Sequence, residues 1–500
     1  MKRKIKDESS NVTITYEEDD SGLPILPGNI PVPLYRNTQS WKPGSTLGAC
    51  YQVNSKEDAF SSLIKASLML KPRSFQNDNQ QPYPMYEEKN GILSIPRVYG
   101  LLQFGAPEKD LRIEQSIPTI PSFCGELKPF QREVVNHVEK CLRREPYNCA
   151  MITAECGLGK TCMSIHLVAT LKMKTAILVH KEFLMTQWIE RFEQFLPGIE
   201  VGRVQGSICD IKDVTIIMIQ TCLTGRHNEL FNESGISFVI VDECHHICAK
   251  TFNLSMRSFA AKYLLGLSAT PERSDGNEKG IFWLLGAPSV FAKREKNENV
   301  SLANTLKVLK LYGPRVRQPD LKTSKGQLQY SRMITRLVEN KNRTNLIVDL
   351  VHQLYDQGRE ILIISERVSL LDSIASIFES RNIKAAKYVG ENTKKGKRKR
   401  SEASMGCKII LTTRAMASEG FDRPSIDTVV LATPFGANST LEQSIGRCQR
   451  MCSEKKFESQ VVDVIDNYSI FYSMARARQH FYASKRYNVV TLKPVEDNLA

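Results

Sequence analysis

The stretch AECGLGKT, from Ala154 to Thr161, has residue types and spacing that suit the binding of phosphate. Glycines let backbone N–H groups curl around an anion, and the N-terminus of a following helix adds its dipole. Lys160 would reach the β- and γ-phosphates of a nucleotide, and the Thr161 hydroxyl would help to hold Mg²⁺. The common pattern begins with glycine where this chain has alanine. The predicted loop comprises Ala154, Glu155, Cys156, Gly157, Leu158, Gly159, Lys160 and Thr161.

A second stretch, FVIVDECHHIC from Phe238 to Cys248, admits two interpretations. As a zinc site, its cysteines and histidines would have to converge, but structural zinc sites generally use separated ligand pairs, and no second pair follows nearby. As a strand end, FVIV would deliver Asp242 to the carboxyl edge of a parallel sheet, where ligands bind in open α/β folds. Asp242 would hold Mg²⁺, and Glu243 would orient and deprotonate the attacking water. The preceding phosphate loop favours the strand end.

The composition is that of an ordinary globular protein, with 41% hydrophobic and 24% charged residues among 500. That length predicts about two to four domains. The net charge of +14 favours a partner with dense negative charge, nucleic acid before an anionic membrane surface. The 13 cysteines form no repeated close pairs, which indicates free thiols. No apolar run approaches the roughly 18 residues of a membrane span, so we expect a soluble, intracellular protein without a membrane partner.

From about residue 123 onward, short β-rich runs alternate with helical ones. NCAMITAE, TAILVH, VTIIMIQT and FVIVDE predict strands, and SIHLVATLK, KEFLMTQWIERFEQFL and AAKYL predict helices. The pattern repeats with the strands EILIISE, AAKYVG, CKIILTT and DTVVLATP and the helix SLLDSIASIFESR. Apolar strands separated by crossover helices imply a parallel sheet covered on both faces. The sequence therefore predicts an α/β protein with two lobes in tandem.

The first part of the chain gives weaker signals. A basic start, an acidic patch and several prolines predict a flexible tail, and GILSIPRVYGLLQFG predicts a short strand and a turn. The predicted order is a flexible tail (1–35), an N-terminal accessory region (36–122), the nucleotide-binding lobe (123–300), a linker (301–330), the second lobe (331–490) and a C-terminal tail (491–500).

In their order along the chain, the phosphate loop, DECH, LGLSATPERSDG and LEQSIGRCQR resemble the superfamily 2 helicases. The sub-type resembles the DEAH/DECH-like branch, which includes the nucleotide-excision-repair helicases and the transcript-release helicases of poxviruses and other large DNA viruses. The resemblance covers about residues 123 to 490. It implies two RecA-like parallel-sheet lobes, with ATP between them and hydrolysis coupled to movement along nucleic acid.

The same resemblance implies roles for further residues of the first lobe. Gln131, in LKPFQ, would bind the adenine base. Trp188 belongs to the segment LVHKEFLMTQW, which would lie along a nucleic-acid strand. His245 would relay the state of the nucleotide to the other lobe. The residues expected to follow the nucleic acid or to couple it to the nucleotide site are Lys181, Gln187, Gln220, Thr221, His245, Ser268 and Thr270.

In the second lobe the resemblance implies two motifs. TTRAMASEGFD resembles the motif that places Glu419, Gly420 and Asp422 at the cleft between the lobes. QSIGRCQR would place three catalytic side chains opposite the phosphates, namely Gln443, Arg447 and Arg450. Charge shifts towards the leaving phosphate in the transition state, and guanidinium groups that stabilise it can accelerate hydrolysis by about 10³-fold or more.

The sequence thus predicts an ATP-dependent helicase or translocase with Mg²⁺, acting on DNA in the transcription of a large DNA virus. RNA polymerase or transcription factors are further candidate partners, in the host cytoplasm, virion or nucleus. An RNA helicase in mRNA processing is the alternative, because both kinds of motor hold mainly the sugar–phosphate backbone. A non-catalytic nucleic-acid-binding virion component is the second alternative, which the intact set of Lys160, Glu243, Arg447 and Arg450 disfavours.

Overall fold

A computed structural model divides the chain into two compact units, Met1–Glu295 and Lys296–Ala500. The residues that the structure describes are 2–18, 43–55, 59–71, 81–117, 119–155, 157–246, 252–269, 276–294, 306–314, 321–322, 328–389, 406–419, 423, 425–436, 439–449 and 455–492.

The helices of this described part are α1 (Ala59–Ser67), α2 (Arg97–Phe104), α3 (Pro129–Leu142), α4 (Lys160–Leu171), α5 (Glu182–Phe195), α6 (Ile219–Cys222), α7 (Asn228–Glu233), α8 (Glu278–Leu285), α9 (Tyr330–Val338), α10 (Lys341–Asp356), α11 (Val368–Ser380), α12 (Arg414–Glu419), α13 (Ser439–Gly446) and α14 (Ser469–Ser484). Short 3₁₀ segments occupy Cys244–His246 and Phe252–Ser258.

The strands are β1 (Lys2–Asp7), β2 (Val12–Glu17), β3 (Thr46–Leu47), β4 (Tyr51–Asn54), β5 (Met69–Leu70), β6 (Tyr83–Pro84), β7 (Glu87–Lys89), β8 (Ile92–Ile95), β9 (Lys109–Asp110), β10 (Cys149–Ala154), β11 (Thr175–Val179), β12 (Val201–Gln205), β13 (Ile208–Asp210), β14 (Val214–Met218), β15 (Phe238–Val241), β16 (Tyr263–Ser268), β17 (Val290–Arg294), β18 (Lys307–Tyr312), β19 (Ile361–Ser365), β20 (Ala385–Tyr388), β21 (Ile409–Thr413), β22 (Thr428–Leu431), β23 (Gln460–Ile465) and β24 (Asn488–Thr491).

A ten-stranded sheet forms the centre of the first unit, in the order β1-β2-β17-β10-β16-β15-β11-β14-β12-β13. The strands from β17 to β12 run parallel. β10, β11, β15 and β16 are buried along their whole length, so both faces of the sheet are covered there and the strands are mainly apolar. Their carboxyl ends meet at one edge of the sheet, where the phosphate loop follows β10 and Asp242 follows β15.

The accessory region has a five-stranded sheet of its own, in the order β7-β8-β4-β3-β9. Its apolar residues form one continuous core with those of the large sheet. The rings of Tyr99 and Trp283 meet edge to face, with 5.6 Å between their centroids. Arg97 is buried and donates from Nη1 to the carbonyl oxygen of Ala261 at 2.5 Å. This region therefore packs against the first lobe as part of the same unit.

The second unit is built on a seven-stranded parallel sheet, in the order β20-β21-β19-β22-β23-β18-β24. A buried ion pair holds α10 to the end of β23. Arg343 donates from Nε and Nη2 to the two carboxylate oxygens of Asp466, at 2.7 and 2.9 Å. Bidentate geometry of this kind strengthens the ion pair and fixes the orientation of both side chains.

Most of the predicted strands are confirmed, and the departures have identifiable causes. The helix predicted for AAKYL is wrong, because this segment leads into the fully buried strand β16. The segment predicted as a strand and a turn, GILSIPRVYGLLQFG, continues into the helix α2. Residues 301–330, predicted as a linker, contain β18, which lies between β23 and β24. The flexible tail predicted for residues 1–35 differs from the structure over residues 2–17, which form the hairpin β1–β2 at the edge of the large sheet.

Within the part of the chain that the structure describes, no helix combines the length and the apolar character that crossing a membrane requires.

Replacement of Gly100 by alanine would test the packing of the accessory region. A Cβ at Gly100 would overlap with the Cβ and Cγ atoms of Tyr51, which is fully buried. Since overpacking a dense core costs about 1–3 kcal/mol, we expect Gly100→Ala to lower the free energy of unfolding by at least that amount in a urea titration. The control is Gly48→Ala, whose added Cβ would lie 4.0 Å from the Cβ of Ala260. Equal losses in both variants would contradict the close packing.

Candidate nucleotide site

The loop between β10 and α4 turns tightly because two of its glycines adopt left-handed backbone conformations. Gly157 has φ 81° and Gly159 has φ 86°, a region that side chains rarely allow. α4 begins immediately after Gly159, at Lys160. The N–H of Leu158 donates to the carbonyl oxygen of Glu155 at 3.2 Å, which closes the turn. A tight glycine turn at the N-terminus of a helix is the geometry that binds phosphate.

Gln131 supports this loop from α3. Its Nε2 donates to the carbonyl oxygen of Leu158 at 3.0 Å, and its Oε1 accepts from the N–H of Lys128 at 2.9 Å. The packing is so close that a Cβ on Gly159 would overlap with Gln131 Nε2. The carboxamide therefore bridges the first turn of α3 and the phosphate loop. Its predicted contact with adenine stays a prediction.

Asp242 and Lys160 lie close together at the sheet edge. The ammonium group of Lys160 donates to the carbonyl oxygen of Ala154, at the start of the loop, at 2.9 Å. Asp242 Oδ2 accepts from Trp188 Nε1 at 2.9 Å, and Oδ1 accepts from the N–H of Glu243 at 3.0 Å. Burial, and next the charge of Glu243, raise the pKa of Asp242 to about 6, although the bond from Trp188 and the charge of Lys160 oppose the rise.

Glu243 has an unusual backbone. Its φ is 47°, in the left-handed region, and such a conformation costs a residue with a side chain about 1–3 kcal/mol and persists only where the surroundings impose it. Its Oε2 lies 3.4 Å from His245 Nδ1, and the same nitrogen lies 3.5 Å from the hydroxyl of Ser268. The structure thus places Glu243, the predicted base, close to His245, which in turn lies close to Ser268. The resemblance assigns both His245 and Ser268 to coupling. The relay itself stays a prediction.

The donor set at this edge fits Mg²⁺. Asp242 is a buried carboxylate beside a second acid, and a bound cation would stabilise the charge that burial disfavours. Mg²⁺ prefers oxygen ligands and commonly takes one or two carboxylates together with the phosphates of its substrate. Thr161, in the first turn of α4, adds a partly buried hydroxyl. The chemistry of these donors is therefore compatible with the predicted ion.

Several residues that are predicted to contact a nucleic-acid strand lie along the same edge of the sheet. Gln220 donates from Nε2 to the carbonyl oxygen of His180 at 2.9 Å, and Thr221 Oγ1 accepts from the N–H of Gly206 at 3.3 Å. Both line a cavity of about 430 Å³. Lys181 immediately precedes α5, and partial burial lowers its pKa. Gln187 lies on α5 with its side chain partly exposed.

Trp188 has a different place from the one that its sequence segment implies. It is only 1% exposed, so it cannot lie along a nucleic-acid strand. Its indole N–H instead binds Asp242, which makes it a positioning residue for the acidic motif. The sequence contains no signal for this contact, because the two residues are 54 positions apart and belong to different elements.

In the second unit, Arg447 is partly buried and donates from Nε to the carbonyl oxygen of Ala417 in α12 at 2.9 Å. Gln443 lies on α13, and its side chain falls outside the described part of the structure, as does that of Glu419. The predicted site residues that lie wholly outside the described residues are Cys156, Thr270, Gly420, Asp422 and Arg450.

Two known protein families match separate parts of this chain. Residues 125–273 match the family described as "Type III restriction enzyme, res subunit", and residues 342–452 match the "Helicase conserved C-terminal domain". A protein of Acanthamoeba polyphaga mimivirus named as an ATP-dependent RNA helicase is 28% identical over 459 residues, which cover 89% of this chain and 85% of the viral protein. The DNA 3'-5' translocase XPB2 of Sulfurisphaera tokodaii is 24% identical over 74% of this chain and 90% of its own length.

Among solved structures, S. cerevisiae Dbp5 bound to RNA and ADP BeF3 matches with a TM-score of 0.51 and 14% identity, over 74% of this chain and 90% of that protein. The parallel sheet, its phosphate loop and its acidic strand end define the class of nucleoside triphosphatases with RecA-like lobes. Within that class, the two matched domains and the relatives identify the chain as a superfamily 2 helicase related to viral and repair helicases. They support ATP-dependent helicase activity and confirm the resemblance and the fold class predicted from the sequence.

Removal of the charge of Asp242 should stabilise the protein when nucleotide and Mg²⁺ are absent. With a pKa of about 6 against an ordinary 3.8, the folded state binds more protons between these values, so stability falls as the pH rises through this range. We expect Asp242→Asn to raise the free energy of unfolding at pH 7.5 on the order of 1–3 kcal/mol, and by clearly less at pH 4.5.

Urea titrations in the presence of a chelator would measure this difference. Asp213→Asn, which alters an exposed acid of the same unit, is the matched control and should change stability little at either pH. A gain for Asp242→Asn that is the same at both pH values would contradict the raised pKa.

Proposed function

We propose that this helicase moves along or unwinds DNA during transcription in a large DNA virus, in transcript release or in opening the template. The observation that supports hydrolysis most directly is the position of Glu243. This carboxylate follows the buried Asp242, at the edge of the sheet that also carries the phosphate loop. An acid in that position can accept a proton from water that attacks a bound phosphate.

The proposed roles follow from these contacts. The phosphates of ATP would bind the N–H groups of the loop, and Lys160 would exchange the Ala154 carbonyl for a phosphate oxygen. Thr161 and Asp242 would hold Mg²⁺, which when bound neutralises charge on the phosphates. Glu243 would orient the water and take its proton. The catalytic roles of Gln443, Arg447 and Arg450 remain predictions from the sequence.

The names of the relatives do not choose between DNA and RNA. The net charge of +14 suits either polyanion. The Sulfurisphaera relative is named as a DNA translocase, and the expected transcriptional role also requires DNA. The mimivirus relative is named as an RNA helicase, and the Dbp5 structure contains RNA. RNA helicase activity in mRNA processing is therefore the second candidate function.

Glu243→Gln should abolish turnover but retain nucleotide binding. The amide keeps the size of the side chain but cannot accept the proton, and loss of a general base typically lowers the rate by about 10²- to 10⁴-fold. We expect kcat for ATP hydrolysis to fall by that factor while the Kd for ATP stays within about threefold. Glu229→Gln, on the exposed surface of α7, should behave as wild type. Unchanged kcat in Glu243→Gln would refute the proposed base.

The preference for DNA or RNA is tested by measuring ATP hydrolysis with each nucleic acid in the same assay. We expect ATP hydrolysis to be stimulated more strongly by single-stranded or duplex DNA than by RNA of the same length and sequence. Stimulation by RNA alone would contradict the DNA motor and favour the second candidate, since the 2′-hydroxyl is what distinguishes the strands. No hydrolysis with any nucleic acid would support the non-catalytic alternative. Absence of transcript release from stalled polymerase complexes, when the protein and ATP are added, would count against the transcriptional role.

A further inference from the structure

At the N-terminus of α3, one buried N–H takes its acceptor from outside the helix. The N-cap position is Lys128, and a lysine side chain has no hydrogen-bond acceptor. Pro129, the first helical residue, has no N–H. The next N–H, that of Phe130, is buried and donates to Asp7 Oδ2 at 3.1 Å. A residue that precedes Phe130 by 123 positions thus supplies the cap, and its negative charge also interacts favourably with the helix dipole.

Asp7 is held in place by the hairpin β1–β2. Its other carboxylate oxygen accepts from the N–H of Ser9 at 3.1 Å and from the hydroxyl of Ser9 at 2.7 Å. The side chains of Ile14 and Tyr16 are buried in the same core as Phe130 and Leu158. The hairpin is therefore fixed against α3 by apolar packing, and the carboxylate of Asp7 is directed at the first turn of that helix.

The hairpin reaches the phosphate loop by two routes. The first runs through α3, because its first turn carries Gln131, which binds the carbonyl oxygen of Leu158. The second runs through the sheet, because Ile14 of β2 pairs with Ala292 of β17. The carbonyl oxygen of Ala292 accepts from the N–H of Glu155 at 3.2 Å, at the beginning of the loop. Both ends of the phosphate loop are thereby connected to residues 2–17.

We propose that Asp7 is a positioning residue for the nucleotide site, which acts by capping α3 and so holding Gln131 against the phosphate loop. This inference rests on the proposed binding of ATP to that loop. Asp7 itself touches no nucleotide. Without its carboxylate the N–H of Phe130 loses its acceptor, the first turn of α3 loosens, and Gln131 no longer fixes the loop in one conformation before ATP arrives. Binding then has to include the ordering of the loop, which weakens it.

The test compares ATP binding and hydrolysis in wild type, Asp7→Ala and the isosteric Asp7→Asn. Loss of a helix cap is commonly worth a change of about 3- to 10-fold in an equilibrium constant. We expect Asp7→Ala to raise KM and Kd for ATP by that factor, with kcat within about twofold and the Kd for nucleic acid without nucleotide unchanged. Asp7→Asn should give a smaller increase, since its amide oxygen can still accept one hydrogen bond. It also keeps the comparison usable if Asp7→Ala folds poorly.

Glu8→Gln is the matched control, because it removes one negative charge from an exposed neighbour of Asp7. It should leave KM unchanged. A double-mutant cycle with Gln131→Ala tests the route. If Asp7 acts through Gln131, the increase in KM for Asp7→Ala should largely disappear in the Gln131→Ala background.

The outcomes separate the inference from the proposed function. If wild type binds ATP and Asp7→Ala lowers only thermal stability, with KM and Kd equal to those of Glu8→Gln, Asp7 has a merely structural role and the inference is wrong. Fully additive effects in the cycle would also overturn it. If wild type binds no ATP, the proposed function fails, and the inference fails with it.

Discussion

The close approach of Gln131 to Gly159 is the contact on which the rest of the site depends. Glycine suits position 159 because the backbone there is left-handed and an added Cβ would displace the carboxamide of Gln131. This contact sets the path of the loop between β10 and α4, and hence the direction in which α4 begins. Through the same contact, any interaction that holds α3 in place also holds the loop in place. The large sheet supplies the edge, but this contact determines the shape of the backbone that would meet the phosphates.

The acidic motif stores unfavourable free energy in two forms. Asp242 is a carboxylate in a site that disfavours its charge, and Glu243 has a backbone conformation that costs a side-chain-bearing residue about 1–3 kcal/mol. Both persist because β15 is buried between its parallel neighbours and Trp188 holds the carboxylate in place. A cation beside Asp242 would relieve the first of these. Ligand binding would thus stabilise a site that is unfavourable without it, which is a common relation between stability and function.

The sequence predicted much of the fold because fully buried parallel strands require continuous apolar runs. This signal identifies β10, β11, β14 and β15 and places Lys160 and Asp242 at one edge. It fails where the cause is tertiary. AAKYL has helix-forming residues but enters β16, and the hairpin β1–β2 begins in a segment of ordinary basic composition. The first outcome depends on neighbours that are distant in the chain, whereas VTITYE of β2 does have the alternating β-branched pattern of a strand.

Polar contacts of the candidate site show the same limit more sharply. Lys160, Gln131, Gln220 and Arg447 each donate to a backbone carbonyl oxygen, at Ala154, Leu158, His180 and Ala417 respectively. Every residue type offers such an acceptor, so the partner leaves no trace in the sequence even where the donor belongs to a recognisable motif. These bonds join side chains of one segment to the backbone of another. A shift of the backbone in one segment must therefore move the functional side chain of the next, and for Arg447 this ties the predicted phosphate contact to the position of α12.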